Sequence, residues 1–363
     1  DGKTENQNLA IYTKALLEVA QEQQVGAIDA FNPSLAWFAE SDGYLTINGC
    51  HLNATGYERF GAFLSEQLLG AAGQPSARLL AAIDDKNWLW DNDYRMPNGV
   101  HAFGRRWQPF GDFNYPEEFD KIRQMTNLRD PVIWAAARGE SAKADDASTL
   151  ALTPVKTNFH RDITYLPEPE VMAKFNVPEG FAINLFASEA MFPDVANPVQ
   201  LTFDNQGRLW VAVMPSYPHY RPGDERPNDK ILILEDTDGD GRADTQTTFA
   251  AGLHLPIGFS IQPDGSVIVS QQPRLIRLVD TDGDDVADHR EILLTGFDSH
   301  DTHHAIGAFT TGGTGDLYML EGIFLHSQVE TPYGTERGVD AHIWRYEPRT
   351  WRLEKFNQAL FWN

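Results

Sequence analysis

Two acidic runs, each nine residues long, carry the sharpest chemistry in this sequence: Asp236-Thr237-Asp238-Gly239-Asp240-Gly241-Arg242-Ala243-Asp244 and Asp280-Thr281-Asp282-Gly283-Asp284-Asp285-Val286-Ala287-Asp288. Carboxylates at alternate positions, closed by another at the ninth, suit a hard, oxygen-seeking cation. Spacing by two turns successive oxygens inward, and the glycine permits the tight bend. The expected ligands of a structural Ca2+ are Asp236, Asp238, Asp240 and Asp244, with the backbone carbonyl of Arg242. In the second run they are Asp280, Asp282, Asp284 and Asp288, and Asp285 replaces Gly241, so that site is expected to be the weaker. Without a cation these like charges repel within one turn. The plain alternative is a solvated acidic hairpin.

A second cluster is Phe297-Asp298-Ser299-His300-Asp301-Thr302-His303-His304-Ala305-Ile306-Gly307. Three histidines and two aspartates within seven residues could hold a metal or form a general base oriented by a carboxylate. The alternative is a pair of structural histidines at a strand start. His304 is expected to open an inner strand and face a central channel as the base, with Asp301 or His303 fixing its tautomer.

Both clusters lie in the connections of a repeat. One strand phrase recurs as Gly207-Arg208-Leu209-Trp210-Val211-Ala212, Gly265-Ser266-Val267-Ile268-Val269-Ser270 and Gly315-Asp316-Leu317-Tyr318-Met319-Leu320. A shorter apolar strand precedes each copy: Val199 to Phe203, Ile257 to Ile261, and Ile306 to Phe309. A third strand follows each, at Lys230 to Leu234, Leu275 to Val279, and Ala341 to Tyr346. A fourth closes the unit, around Thr247 to Phe249, Glu291 to Leu294, and Trp351 to Phe356. Four short strands repeated at about 50 residues are the arithmetic of β-propeller blades. The acidic runs are the turns between third and fourth strands, and in the third copy that turn is Glu347-Pro348-Arg349-Thr350, without a site. A closed ring takes about four to eight blades, so the three visible copies lead us to expect the remainder outside this sequence or from a second chain.

Composition bounds what such a chain binds. Lys and Arg total 29 against 52 Asp and Glu, a net charge of -23 over 363 residues. That balance repels phosphate backbones and anionic lipid, so neither nucleic acid nor a membrane surface is an expected partner. The apolar runs fall short of the ~20 residues that cross a bilayer. Cys50 is the single cysteine, which excludes an internal disulfide framework and a zinc site of several thiolates. No basic and apolar leader opens the sequence, so any signal peptide is expected to have been removed or to lie outside it.

The N-terminal part reads differently. Leu9, Tyr12, Leu16 and Ala20 fall on one helical face between Asn8 and Gln23, and Ala27 to Phe31 has the length of a buried strand. Helix then strand predicts α/β structure, of which one unit makes only a fragment. A second helix is expected to run through about Leu69. Asn48-Gly49-Cys50-His51-Leu52-Asn53-Ala54-Thr55-Gly56-Tyr57 resembles the last motif block of the SGNH (GDSL-type) hydrolases, in which His51 would match the catalytic histidine. Ile47 and Asn48 stand where that family carries an aspartate, and its nucleophilic serine block has no counterpart here. A histidine with neither serine nor carboxylate is no esterase site. Ala77 to Trp90 predicts a helix, and Asp91 to Asp130, with Trp107, Phe110, Phe113 and Tyr115, an irregular aromatic wrap. Ala135 to Leu150 reads as a flexible boundary, and His101 and His160 as structural histidines. The expected organisation is an SGNH-like part over residues 1–75, a helical and irregular linker over 76–170, and blades over 171–363.

From about Asn176 onward the sequence resembles the propeller of the PVC-type, haem-binding membrane-bound dehydrogenase family. Pro178-Glu179-Gly180-Phe181, Gly207 to Val211, Pro215-Ser216-Tyr217-Pro218, the Asp236 run and Asp301-Thr302-His303-His304-Ala305 carry the likeness. Members of that family often join an SGNH-like domain, this propeller, helical repeats and a Cys-x-x-Cys-His cytochrome segment. One cysteine cannot supply the last, so haem c would have to come from a segment outside this sequence. The propeller in turn is similar to soluble quinoprotein glucose and sorbosone dehydrogenases, where a His-x-x-Gly phrase opens an inner strand, as His304-Ala305-Ile306-Gly307 does here. The resemblance implies an exported protein, periplasmic or extracellular. It implies oxidation of a carbohydrate or polyol with pyrroloquinoline quinone, His304 taking the alcohol proton and a c-type cytochrome accepting electrons. That family's cofactor-clamping Arg and Lys belong to later blades, so no cofactor contact is assigned. A calcium-stabilised, non-catalytic propeller for carbohydrate or protein binding is the alternative, and an SGNH-type esterase completed elsewhere a third.

Overall fold

The computed structural model describes residues 2–41, 43–70, 74–99, 115–154 and 165–358. The chain forms two compact units, Asp1–Gln74 and Pro75–Asn363.

Among its described residues the first unit is helical: α1 (Gly2–Glu22), α2 (Phe31–Glu40) and α3 (Ala54–Leu69). Trp37 of α2 meets Phe63 of α3 edge to face at 5.2 Å. Asn53 caps α3, its side chain accepting the Gly56 N–H at 2.9 Å. The strand expected from Ala27 to Phe31 does not form, because Phe31 opens α2 and Asp29 accepts the Asn32 N–H at 3.1 Å. Among the described residues a lone strand also finds no partner in this unit, since the one bridge outside the named strands is Thr46 with Leu52. The α/β expectation for this part is thus corrected to helices.

The second unit opens with α4 (Ala77–Tyr94), α5 (Tyr115–Asn127), α6 (Arg129–Ala137) and the short α7 (Glu168–Met172). The irregular wrap expected up to Asp130 contains the helix α5, because Ile122 and Met125 pack with Leu89 of α4 and Tyr220 into a buried cluster. The boundary expected at Ala135 to Leu150 is tied down. Buried Arg129 takes Asp85 at 2.8 Å on one side and Asp146 on the other, and a buried guanidinium is tolerable only when paired in this way. His101 and His160 lie outside the described residues, as do Trp107, Phe110 and Phe113.

Three four-stranded antiparallel sheets follow as successive blades. The first is β1 (Pro198–Phe203), β2 (Leu209–Val213), β3 (Asp229–Glu235) and β4 (Thr245–Leu253). The second is β5 (Gly258–Ile261), β6 (Val267–Gln271), β7 (Arg274–Val279) and β8 (His289–Thr295). The third is β9 (Ala308–Thr311), β10 (Leu317–Glu321), β13 (His342–Glu347) and β14 (Arg352–Gln358), interrupted by a hairpin, β11 (Gln328–Thr331) with β12 (Gly334–Arg337). Each turn from first to second strand ends on a glycine of positive φ, at +83° in Gly207 and Gly265 and +88° in Gly315, which explains the recurrent glycine of the strand phrase. The inner strand β5 adjoins β1 on one side and β9 on the other. The cores lie between blades: Trp210, Ile231 and Phe249 of the first pack on Phe259 and Val267 of the second. Ile268, Leu275 and Phe297 pack on Met319, Trp344 and Tyr346 of the third. A four-residue inner strand is therefore held by its neighbour blade as much as by its own ladder.

Candidate functional site

The acidic runs fold as the turns β3–β4 and β7–β8, and they fold alike. In the first, Asp236 accepts the Gly239 N–H at 2.7 Å and the Gly241 N–H at 2.8 Å, so its carboxylate shapes the bend. In the second, Asp280 accepts from Gly283 at 2.7 Å and Asp285 at 2.9 Å. Donor oxygens of Asp236, Asp238 and Asp244 lie within 4.8 Å of one another, and those of Asp280, Asp282 and Asp288 do the same. These clusters are compatible with Ca2+. The fourth carboxylate of each run is drawn away: Asp240 accepts the Arg242 N–H at 2.8 Å, and Asp284 the Val286 N–H at 2.9 Å. The Arg242 guanidinium reaches Glu168 at 2.9 Å. The repulsion of Asp284, Asp288 and Asp280 raises the pKa of Asp282, the sign expected of a crowded anionic site. Asp285 does more than displace a glycine: it binds Arg208 of the first blade at 2.7 Å, and Arg208 also holds Asp204 at 2.8 Å.

The histidine loop lies at the other functional place, beside a cleft of about 560 Å³. Asn197 and Val199 at β1, Ile257 before β5, and Gly307 and Ala308 at β9 line it, together with Met214, Tyr217, Leu320 and His303. The cleft thus opens where the three inner strands begin, with Asn197, Tyr217 and His303 as its polar groups. His303 Nδ1 stands 2.7 Å from Asp301 Oδ1 and 3.4 Å from the Tyr217 hydroxyl. The Asp301 side chain is 0 % exposed and that of His303 36 %. His304 does not face the cleft. Its side chain is 2 % exposed, lies 3.8 Å from Asp301 Oδ2, and packs between the His303 ring and Phe324. The expectation that His304 reaches the channel is corrected. The loop makes a 3-10 turn over Thr302–His304, and that turn puts successive side chains on different sides, so His303 receives the cleft.

Residues far away in sequence hold the loop in place, and no local signal marked them. Buried Asn98, just beyond α4, accepts the Thr302 N–H at 2.7 Å and the Thr302 hydroxyl at 2.9 Å, while its amide donates to the Pro218 carbonyl beside Tyr217. Buried Asp229 of β3 accepts the N–H groups of Ser216 at 3.0 Å and Leu255 at 2.7 Å, fixing both neighbours of the cleft wall. Burial pushes its pKa up against those bonds. Behind the loop, Gly322 donates to the His304 carbonyl at 2.8 Å. Glu321, the last residue of β10, is buried with His342, Trp344 and Ser327, and Ser327 Oγ in turn accepts the Asp298 N–H at 2.8 Å.

His51, in the first unit, has Asn48 as its neighbour: Asn48 Nδ2 lies 3.1 Å from His51 Nδ1. The Asn48 carbonyl oxygen accepts the N–H groups of Cys50 at 3.1 Å and His51 at 2.8 Å, which orients the amide. An amide N–H given to Nδ1 leaves the ring proton on Nε2, the tautomer that cannot accept a proton from a serine. We therefore expect no turnover of a simple aryl acetate by this chain. Turnover that disappears in His51→Ala would overturn that expectation.

A family model described as a domain of unknown function, DUF7133, matches residues 167–360. No curated protein matches the chain. Similar solved structures include a Trichoderma reesei carbohydrate-active enzyme of family AA12, at 17 % identity over 36 % of this chain and 31 % of that one, with a TM-score of 0.26. A luciferin-regenerating enzyme matches at 13 % identity over 39 % and 44 %, TM-score 0.27. Regucalcin, a calcium-binding protein of Agrobacterium tumefaciens, matches at 16 % over 41 % and 45 %, TM-score 0.26. The chain spans less than half the length of each of these three proteins.

Proposed function

The chain belongs to the DUF7133 family, and from that premise we propose that it is a carbohydrate-related propeller, stabilised by Ca2+, whose cleft takes a neutral sugar or polyol. The observation that carries this reading is the pairing of His303 with buried Asp301 at the polar end of a largely apolar cleft. A few convergent polar groups in an apolar hollow are how small-molecule sites fix an orientation. A ligand hydroxyl laid against Tyr217 and His303 would meet an imidazole whose other partner is a carboxylate, the arrangement that polarises or removes a hydroxyl proton. Ca2+ in the two acidic turns is part of the proposal, and so is an exported setting, since extracellular modules bind Ca2+ at roughly 10⁻⁴–10⁻³ M.

Dehydrogenase chemistry with pyrroloquinoline quinone is not carried further. That cofactor is a tricarboxylate, and among the described residues lining the cleft there is no Lys or Arg to pair with it.

The test is calorimetric titration of the purified chain, in Ca2+, with monosaccharides, polyols and sugar lactones. One class is expected to bind, with affinity falling about tenfold or more in His303→Ala, the scale of losing one polar contact in a desolvated site. Asp238→Ala, in an acidic turn, is expected to leave that affinity unchanged once Ca2+ is in excess. No binding by any of the three classes, or binding indifferent to His303, would overturn the reading.

A further inference from the structure

We infer that Asp301, His303 and His304 together hold one divalent transition-metal cation at the polar end of the cleft. One donor atom from each lies within 4.8 Å of the other two. Around a tetrahedral ion with bonds of 2.0–2.2 Å, neighbouring donors stand roughly 3.3–3.5 Å apart. The Asp301 carboxylate faces both imidazoles, its Oδ1 2.7 Å from His303 Nδ1 and its Oδ2 3.8 Å from His304 Nε2. The donors are also fixed in advance: Asp301 and His304 are buried, and Asn98 clamps Thr302 between them.

Donor chemistry selects the cation. Two imidazoles and one carboxylate favour Zn2+, Co2+ or Fe2+, whereas the all-oxygen acidic turns favour Ca2+. His303 is half-exposed and borders the cleft, so the fourth position would open there, beside the Tyr217 hydroxyl. Three protein ligands with one open position are the arrangement of reactive rather than structural metal sites. This inference rests on the cleft being the ligand site, and it assigns activation of the ligand hydroxyl to the cation rather than to the His303 ring alone.

The experiment uses the whole chain, stripped of transition metals and kept in excess Ca2+ so that the acidic turns are filled. Titration with Co2+ is expected to give one equivalent of visible d–d absorption per chain, displaced by Zn2+. His303→Ala, with its folding verified by circular dichroism, is expected to weaken Co2+ at least tenfold, and His289→Ala, at an exposed histidine of β8, to leave it unchanged. Long-range 1H–15N spectra of the unmutated chain supply a second readout, in which two imidazole rings should shift at one equivalent of Zn2+. Absent Co2+ absorption, absorption indifferent to His303→Ala, loss of absorption in His289→Ala, or imidazoles unmoved by Zn2+ would each overturn the site. Sugar titration in Ca2+ alone separates the two proposals. Sugar binding without any transition-metal binding defeats only the metal site, and metal binding without sugar binding defeats only the carbohydrate reading.

Discussion

Chelating Ca2+ from the purified chain is expected to lower its melting temperature by about 5–10 °C for each acidic turn emptied. The size follows from linkage. At ~10 mM Ca2+, about 100 times a Kd near 10⁻⁴ M, binding to the folded state alone contributes about 2.7 kcal/mol, and a unit of 150–250 residues shifts by about 2–4 °C per kcal/mol. The cause is local. Each turn gathers three carboxylates within 4.8 Å, and the neighbouring charges already raise the pKa of Asp282. Removing the cation leaves that repulsion at the end of a β-hairpin whose other end enters the inter-blade core. Asp238→Ala and Asp282→Ala should each abolish about half of the chelator effect. Asp240→Ala should do less, because Asp240 is engaged with the Arg242 N–H at 2.8 Å. A melting curve identical in excess chelator and in millimolar Ca2+ would remove Ca2+ from both turns.

The acidic turns were legible because the information is local. Alternate spacing turns carboxylates inward, and the structure gathers Asp236, Asp238 and Asp244, while Asp240, named by the same spacing, stands outside that cluster. The blades were legible for a related reason. A repeat shows the same compromise three times, and a glycine at Gly207, Gly265 and Gly315 marks the same backbone demand in each copy. The histidine site was half legible. Composition put chemistry in the loop from Asp298 to His304, but which imidazole meets the cleft depends on the 3-10 turn over Thr302–His304. That turn depends on Asn98, about two hundred positions away. Nothing near Asn98 or Asp229 in sequence announces a partner so distant. The N-terminal strand failed for the opposite reason: Ala27 to Phe31 has strand composition, but a strand needs a neighbour to pair with, and Asp29 instead engages the start of α2. The helix expected at Ala77 to Trp90 forms as α4, whereas α5 was missed because its apolar face packs against α4 and Tyr220, which only the fold brings together.

Glu321 gives the sharpest pH dependence expected of this molecule. It lies fully buried at the end of β10, accepting the Trp344 indole N–H at 2.8 Å and the Ser327 hydroxyl, with His342 Nε2 3.4 Å away. Burial pushes its carboxyl up to about 7 from an ordinary 4.5, against the pull of those two hydrogen bonds. The folded state therefore holds the proton more tightly than the unfolded chain. The stabilisation is complete below about 4.5 and is lost as pH rises through about 7, a change of about 3 kcal/mol over that window. His342 acts in the other direction: burial holds its pKa below the usual histidine range, so protonation is resisted and stability falls on acidification. Together they place the stability contributed by this pair highest where Glu321 is protonated and His342 neutral. In Glu321→Gln the amide oxygen still accepts from Trp344 and no proton is left to lose. The variant should melt about 5–10 °C above the unmutated chain at pH 8 and match it near pH 5, by the same conversion of free energy to temperature. Glu321→Ala, which strands the Trp344 N–H and the Ser327 hydroxyl in the core, should be less stable at both pH values. The consequence reaches the cleft, because Ser327 also accepts the Asp298 N–H and Gly322 donates to the His304 carbonyl. These bonds tie the strand end that carries Glu321 to the histidine loop. Equal melting temperatures for Glu321→Gln and the unmutated chain at pH 8 would show that the carboxyl is already ionised without cost, and the coupling to the loop would go with it.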